Sequence, residues 1–402
     1  MSAGSTPEAS DDARIPAGHA WGKLPVIFGS LAVVGFGISL ALARGNEKQF
    51  YFSWLVAFMY FLSIALGGLY FVLLQFLSKA GWSAAVRRIA ENAMVTLPFL
   101  AIFAIPILLG MHDLFHWARP DELARDAVLR SKAPFLNPTF FLVRMVIYFV
   151  VWTLLSAILI RSSFAQDESG DHAITRRLQM VAPPGMALFA LTLTFAAIDW
   201  LMSLDAHWYS TIFGLYYFAG SVVAIYAFMI VIATGLRNAG IAEGAWRLDH
   251  FHDLGKLLFG FVVFWTYMGF AQFFLIWYAN IPEETIWFRA RLTGSWQNVT
   301  ILLALCHFVI PFFVMMGRTI KRKPALLRIA ALWMLAIHYV DLHWLVMPNL
   351  HAAGDAPALL DLTTFLAVGG AFLAIFGYFL KGHAVVPIRD PRLPESLSYE
   401  NG

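Results

Sequence analysis

Ten stretches of about twenty or more apolar residues, separated by short polar joints, leave this chain few ways to fold. In hydrocarbon every backbone N–H and C=O must find its partner inside the protein, and ~20 residues of helix cross a ~30 Å core. The runs cover roughly 23–43, 51–78, 90–111, 138–161, 179–203, 208–235, 256–279, 298–320, 325–347 and 360–381. The expected fold is therefore an all-α integral membrane protein of ten transmembrane helices with no soluble domain. Composition agrees, at 60% hydrophobic and 13% charged residues, against ~25% charged in soluble domains. The first run is long for a signal peptide and no small-residue cleavage site stands out, so it reads as an uncleaved first helix.

The net charge of +3 is too small to imply a nucleic-acid partner, and the placement of the cations matters more than their sum. The two tails and the joints after the second, fourth, sixth and eighth runs carry 18 Lys and Arg, the other joints carry 8, and Arg144 and Arg328 fall inside runs. That imbalance places both termini in the cytoplasm. The joints holding Asp113, His116, Asp205, His207, Glu283, Glu284 and His351 then face the periplasm. Cys306 is the single cysteine. The chain thus offers no intrachain disulfide, no Cys-rich iron–sulfur or zinc site and no Cys-x-x-Cys-His haem attachment, and any redox centre it serves is expected in another chain.

Residues 196–217, AAIDWLMSLDAHWYSTIFGLYY, join the fifth and sixth runs. They bring Asp199, Asp205 and His207 to the bilayer boundary, where ionisable groups are costly and usually functional. Asp205-Ala206-His207-Trp208 is echoed by Asp341-Leu342-His343-Trp344, each string read as closing its helix. Trp54, Tyr60-Phe61 and Tyr70 have loose counterparts in Tyr209, Tyr217-Phe218 and Tyr226. The expected layout is two four-helix bundles, helices 2–5 (51–205) and 6–9 (206–350), flanked by helix 1 (23–50) and helix 10 (351–382). Cytoplasmic tails occupy 1–22 and 383–402. Duplication and chance likeness stay equally open, and Asp205, His207 and Trp208 are expected at the surface, facing partner subunits.

Arg144, Tyr148, Trp152 and Ser156 recur every four residues and form a polar stripe on the fourth helix. At 1.5 Å per residue Arg144 lies ~9 Å below the helix start. Asp199, near the end of the antiparallel fifth helix, falls at the same depth, so the two are natural partners. A structural ion pair and a proton or quinone site both stay open. His307 and His338 share a depth near the midplane, with Tyr267 and Gln272 close to that level and Asp341 on the His338 face. Bulky Phe312, Phe313, Trp333 and Tyr339 argue against a bis-histidine haem; a proton relay and plain core histidines both remain. Glu91, followed by Thr96, Pro98 and Pro106, reads as the inner mouth of a path or as an interfacial residue. His112, Asp113 and His116 close the third helix near Asp205 and His207, as a quinone-side cluster or a partner-facing hydrogen-bonding surface. They lack the tight spacing of a metal site. The candidate proton path thus comprises Asp199, Arg144, His307, His338, Asp341, Tyr267 and Glu91, with no catalytic residue assigned and no metal expected.

Four stretches carry a family resemblance: SLDAHWYSTIFGLYYFAG at 203–220, FWTYMGFAQFFLIWYANIPEE at 264–284, HYVDLHWLVMP at 338–348 and IRDPRLPESLSYEN at 388–401. They resemble the second large membrane subunit (ActF type) of bacterial alternative complex III, which is similar to the NrfD-type membrane subunits of polysulfide reductase. The resemblance spans nearly the whole chain and is weakest over 1–22. It implies ten helices in two four-helix bundles, and a complex that oxidises quinol and passes electrons to cytochrome c or directly to a terminal oxidase. It further implies haems c and iron–sulfur clusters in partner subunits, none covalently bound here, and a paralogous membrane subunit beside this one. Asp199, Arg144, His307, His338 and Asp341 would then form a proton route, and this chain would hold at most a quinone, a quinol or a lipid. A secondary transporter and a purely structural scaffold are the competing readings.

Overall fold

A computed structural model of the protein describes residues 13–400; residues 1–12 of the first tail and 401–402 of the second lie outside the described residues. No strand occurs among the described residues. The protein is a multi-pass membrane protein, with ten helices long and apolar enough to cross among the described residues. These are α1 Ala20–Ala43, α2 Glu47–Leu77, α3 Ala84–Leu109, α4 Pro138–Ser169 and α5 His172–Leu204. They continue with α6 Phe213–Asn238, α7 Leu248–Ala279, α8 Trp296–Met316, α9 Pro324–Asn349 and α10 Leu359–Gly382. Each coincides with one apolar run. With ten spans the two ends of the described segment, Ala13 and Glu400, lie on one side, here the terminal face, and the other side is the distal face.

Local chemistry sets the helix ends. Pro138 opens α4, and the Asn137 side chain accepts from the Phe140 N–H. At the other end Gly170 adopts φ +68°, a left-handed turn that a glycine takes at little cost. Asp171 then caps α5 by accepting from the Ala173 N–H. Helix α3 is interrupted at Thr96 and again at Ala104, each time just before a proline, Pro98 or Pro106. Pro98 has no N–H to give the Met94 carbonyl, and Ser156 of α4 donates to that oxygen instead, at 3.0 Å.

Helices α2 and α6 are the central pair. α2 packs on α3, α5, α6, α9 and α10, while α6 packs on α5, α7 and α9; α1 is held chiefly by α10. Between helices in lipid, small residues that let backbones approach do much of the work. A Cβ added at Gly67 of α2 would lie 2.4 Å from the Ser221 carbonyl oxygen of α6. Gly67→Val is therefore expected to destabilise the protein by about 1–3 kcal/mol, read as a lowered melting temperature in detergent. Gly37→Val, whose added Cβ meets nothing within 4 Å, should leave it unchanged.

The terminal face departs from the expected layout. Arg87 and Arg88, counted among the joint cations, lie inside α3 and are buried. Segment 383–400 is likewise no free tail. Asp390 is buried against Arg87, the Val385 N–H donates to the Ala13 carbonyl, and Ser396 donates to the Trp82 carbonyl while accepting from the Ala85 N–H. The reason is electrostatic: two guanidiniums at a helix start need counter-charges once buried.

The distal face is capped by short helices at Pro120–Arg125, Ala127–Lys132 and Pro282–Arg291. Here the Asp-x-His-Trp echo breaks down. Asp205–Trp208 lies in the turn after α5, whereas Asp341–Trp344 is inside α9 and buried. Trp208 is not at the surface but 2% exposed, stacked on Trp287 with ring centroids 4.5 Å apart. Trp344 meets the same Trp287 edge-on at 5.3 Å. An indole gains more from that stack than from water, which also moves the start of α6 from the expected 208 to Phe213.

Candidate functional site

One buried polar cluster gathers side chains from five helices. His307 sits in a π-helical turn, Ala304–Val309, inside α8. Pro311 supplies the cause, because it has no N–H for the His307 carbonyl four residues back. His307 is fully buried and stacks on Trp265 of α7, with ring centroids 3.6 Å apart. His338 of α9 occupies space left by Gly220 of α6, where a Cβ would stand 3.0 Å from its Cε1. Its Nε2 is 2.9 Å from Ser63 Oγ of α2. That hydroxyl spends its one hydrogen on the Tyr60 carbonyl, so Nε2 carries a proton and donates, and Nδ1 is a bare acceptor. Asp341, one turn along α9, accepts from Tyr216 Oη of α6 and from Trp265 Nε1, the latter at 3.2 Å.

The donor atoms of His307, His338 and Asp341 lie within 4.8 Å of one another, the one such trio among the described residues. Both nitrogens of His307 and Nδ1 of His338 have no hydrogen-bond partner. Leaving buried polar atoms unpaired costs about 1–3 kcal/mol each, so such atoms mark where a water or a mobile proton belongs. Two imidazoles and a carboxylate are also metal-ligand types. Here each Asp341 oxygen also accepts one hydrogen bond, from Tyr216 or Trp265.

Arg144 and Asp199 form the other deep polar site, with the opposite character. Nε and Nη2 of Arg144 each lie 2.8 Å from a different oxygen of Asp199, and Tyr148 Oη donates to Asp199 at 2.6 Å. Arg144 Nη1 donates to the Phe135 carbonyl, and the guanidinium lies over the rings of Phe135 and Phe140. Every strong group there is satisfied. The stripe continues as Trp152 Nε1 donating to Thr192 Oγ1 at 2.9 Å.

The remaining candidates fall elsewhere. Tyr267 is 63% exposed and does not join the cluster. It stands two residues, or ~200° around the helix, from the inward Trp265. Glu91 is neither open nor interfacial. It is buried between Arg87 at 2.9 Å and Arg88 at 3.3 Å, accepts from Ser163, and Arg88 also pairs with Asp167.

On the distal face His116, Asp205 and His207 line a cavity of about 680 Å³ together with Glu122 and Asp126. His116 Nδ1 is 2.7 Å from Glu122, and His207 Nε2 is 2.5 Å from Asp126. The His207 hydrogen bond holds the Asp126 carboxyl below its ordinary range. Burial acts against the charge of Glu122, yet the hydrogen bonds from His116 and Arg119 hold it low as well. His112 and Asp113 stay outside this cavity: His112 is exposed, and both offer their backbone carbonyls to Arg119. The side-chain layout thus separates the expected five-residue distal cluster into two groups.

Sequence reasoning missed Ser63, Tyr216, Gly220 and Trp265 around the histidines. Only Tyr216 carried a signal, as a hydroxyl in an otherwise apolar first turn of α6. Neither a scan against protein-family models nor a search of curated proteins returns a match to this chain.

Proposed function

We propose that this chain is a proton-conducting membrane subunit of a respiratory quinol:cytochrome c, or quinol:oxidase, oxidoreductase of the alternative complex III type. In this reading it lies in a bacterial inner membrane with both termini cytoplasmic, in keeping with the division of Lys and Arg, which stays 16 to 8 once the buried Arg87 and Arg88 of α3 are taken out of the 18. A paralogous membrane subunit, an iron–sulfur subunit and multihaem and monohaem cytochromes c stand beside it and hold the redox centres, with a terminal oxidase as a further partner.

The observation that supports this reading is the trio of His307, His338 and Asp341 with its three unpartnered ring nitrogens. A saturated ion pair holds helices together, whereas imidazoles with bare nitrogens pass protons through an intervening water. Asp341 and Tyr216 exchange a proton along their existing hydrogen bond. Toward the terminal face the polar groups continue. Tyr226 lies ten residues, ~15 Å, further along α6, and Asn92 lies beside Glu91 on α3; both are buried and without partners.

Affinity purification of the tagged chain tests this. It is expected to co-isolate with c-type haem absorbance, iron–sulfur paramagnetic signals and quinol:cytochrome c reductase activity. A haem-free single chain that drives solute uptake into vesicles would overturn the proposal in favour of a transporter.

A further inference from the structure

His338 and Asp341 stand three residues apart on α9 and so share a face, and His307 reaches them from the π turn of α8. All three are 1% exposed or less. Their donor atoms lie within 4.8 Å of one another. Around an ion with bonds of ~2.0–2.1 Å, tetrahedral donors stand ~3.3 Å apart, so each of the three has to move inward by less than ~1 Å. The lone pairs are free. Both nitrogens of His307 and Nδ1 of His338 have no hydrogen-bond partner, and each Asp341 oxygen accepts a single hydrogen bond and keeps a second lone pair.

The groups that orient a ligand set are present as well. A metal-bound imidazole usually donates its other N–H to a fixed acceptor, which sets the tautomer and the ring plane. His338 Nε2 donates to Ser63 Oγ at 2.9 Å, and Ser63 in turn donates to the Tyr60 carbonyl, which leaves Nδ1 as the ligand atom. Trp265 stacks on His307 and donates to one Asp341 oxygen, while Tyr216 donates to the other. We infer that His307, His338 and Asp341 bind one divalent transition-metal ion of the zinc class, with a water in its fourth position.

Calcium or magnesium fits less well, because those ions take oxygen ligands and the trio offers one carboxylate. Imidazole suits zinc and its neighbours, and three protein ligands with one water is a common zinc arrangement. A divalent ion in an apolar bundle also needs its charge offset. Asp341 offsets one of the two charges, and the bound water, made acidic by the ion, offsets the other. The site stands on its donor set and does not need the function proposed above. Where that function holds, an ion and a mobile proton compete for the same lone pairs, so a bound ion stops conduction through the cluster.

The test strips the purified full chain, with whatever co-isolates, using a membrane-permeant chelator and then dialyses it against Zn²⁺. Retained zinc is measured by mass spectrometry, and its ligands by X-ray absorption at the zinc edge. Wild type is expected to hold one more ion per chain than Asp341→Asn or His307→Phe, with two imidazoles among the ligands of that ion. The first variant keeps the shape of the carboxylate and the second keeps an aromatic ring on Trp265, and each should weaken binding at least tenfold. Ser63→Ala removes no ligand, yet should weaken binding by ~10–100-fold through the freed imidazole. His116→Gln/His207→Gln, which empties the distal cavity of imidazoles, should leave binding unchanged. No such ion in wild type, retention undiminished in both cluster variants, or loss in the distal variant overturns the inference. Redox partners that co-isolate with a zinc-free cluster overturn this site and leave the proposed function standing. Zinc held by a chain isolated without them supports the site although the proposed function fails.

Discussion

Arg144→Met is expected to destabilise the protein by about 3–5 kcal/mol, because it leaves the Asp199 carboxylate buried with Tyr148 as its one remaining side-chain donor. Asp199→Leu should cost about as much, stranding the guanidinium between Phe135 and Phe140. The double variant Arg144→Met/Asp199→Leu removes both charges together. A buried pair replaced by apolar groups of similar volume is often close to neutral, so the double variant should recover most of the loss. Unfolding of the three variants in mixed micelles gives the coupling energy directly. If the double loss equals the sum of the singles, the pair is not the packing element described here.

Asp341→Asn is expected to act quite differently. The amide keeps the shape of the carboxylate: its oxygen still accepts from Trp265 Nε1 and its NH2 can donate to Tyr216 Oη, so the fold and the assembly should survive. What it loses is the capacity to take up a proton. General acid–base groups contribute typically ~10²–10⁴-fold, and quinol oxidation by the assembled complex should fall by a factor within that range. Wild-type turnover in an assembled Asp341→Asn complex would reduce Asp341 to a packing residue.

The ten spans were legible because lipid imposes one requirement, a helix long enough and apolar enough, on every segment alike. Depth was legible too, since 1.5 Å per residue fixes it; this is why Arg144 meets Asp199 and His307 meets His338. Direction around a helix was not, because it depends on which neighbours surround it. Tyr267 was chosen for its level, yet its side chain points outward while Trp265 points in. The Asp-x-His-Trp echo misled for a related reason. Identical residues in a turn and inside a helix face different surroundings, so Asp205 borders the distal cavity and Asp341 is buried. The π turn at His307 had a visible cause in Pro311, but a proline announces a break in bonding without saying how the helix absorbs it. The pairing of Asp390 with Arg87 across 303 residues had no local signal, and so the C-terminal segment read as a tail.

The central claim is that protons move through the His307, His338 and Asp341 cluster. Its most direct test is the number of protons translocated per electron by the complex in sealed liposomes, compared between wild type, Asp341→Asn and His338→Phe. A lower ratio is expected in both variants at an electron flux matched by slowing the wild type. An unchanged ratio in both would contradict it and leave the cluster a feature of packing.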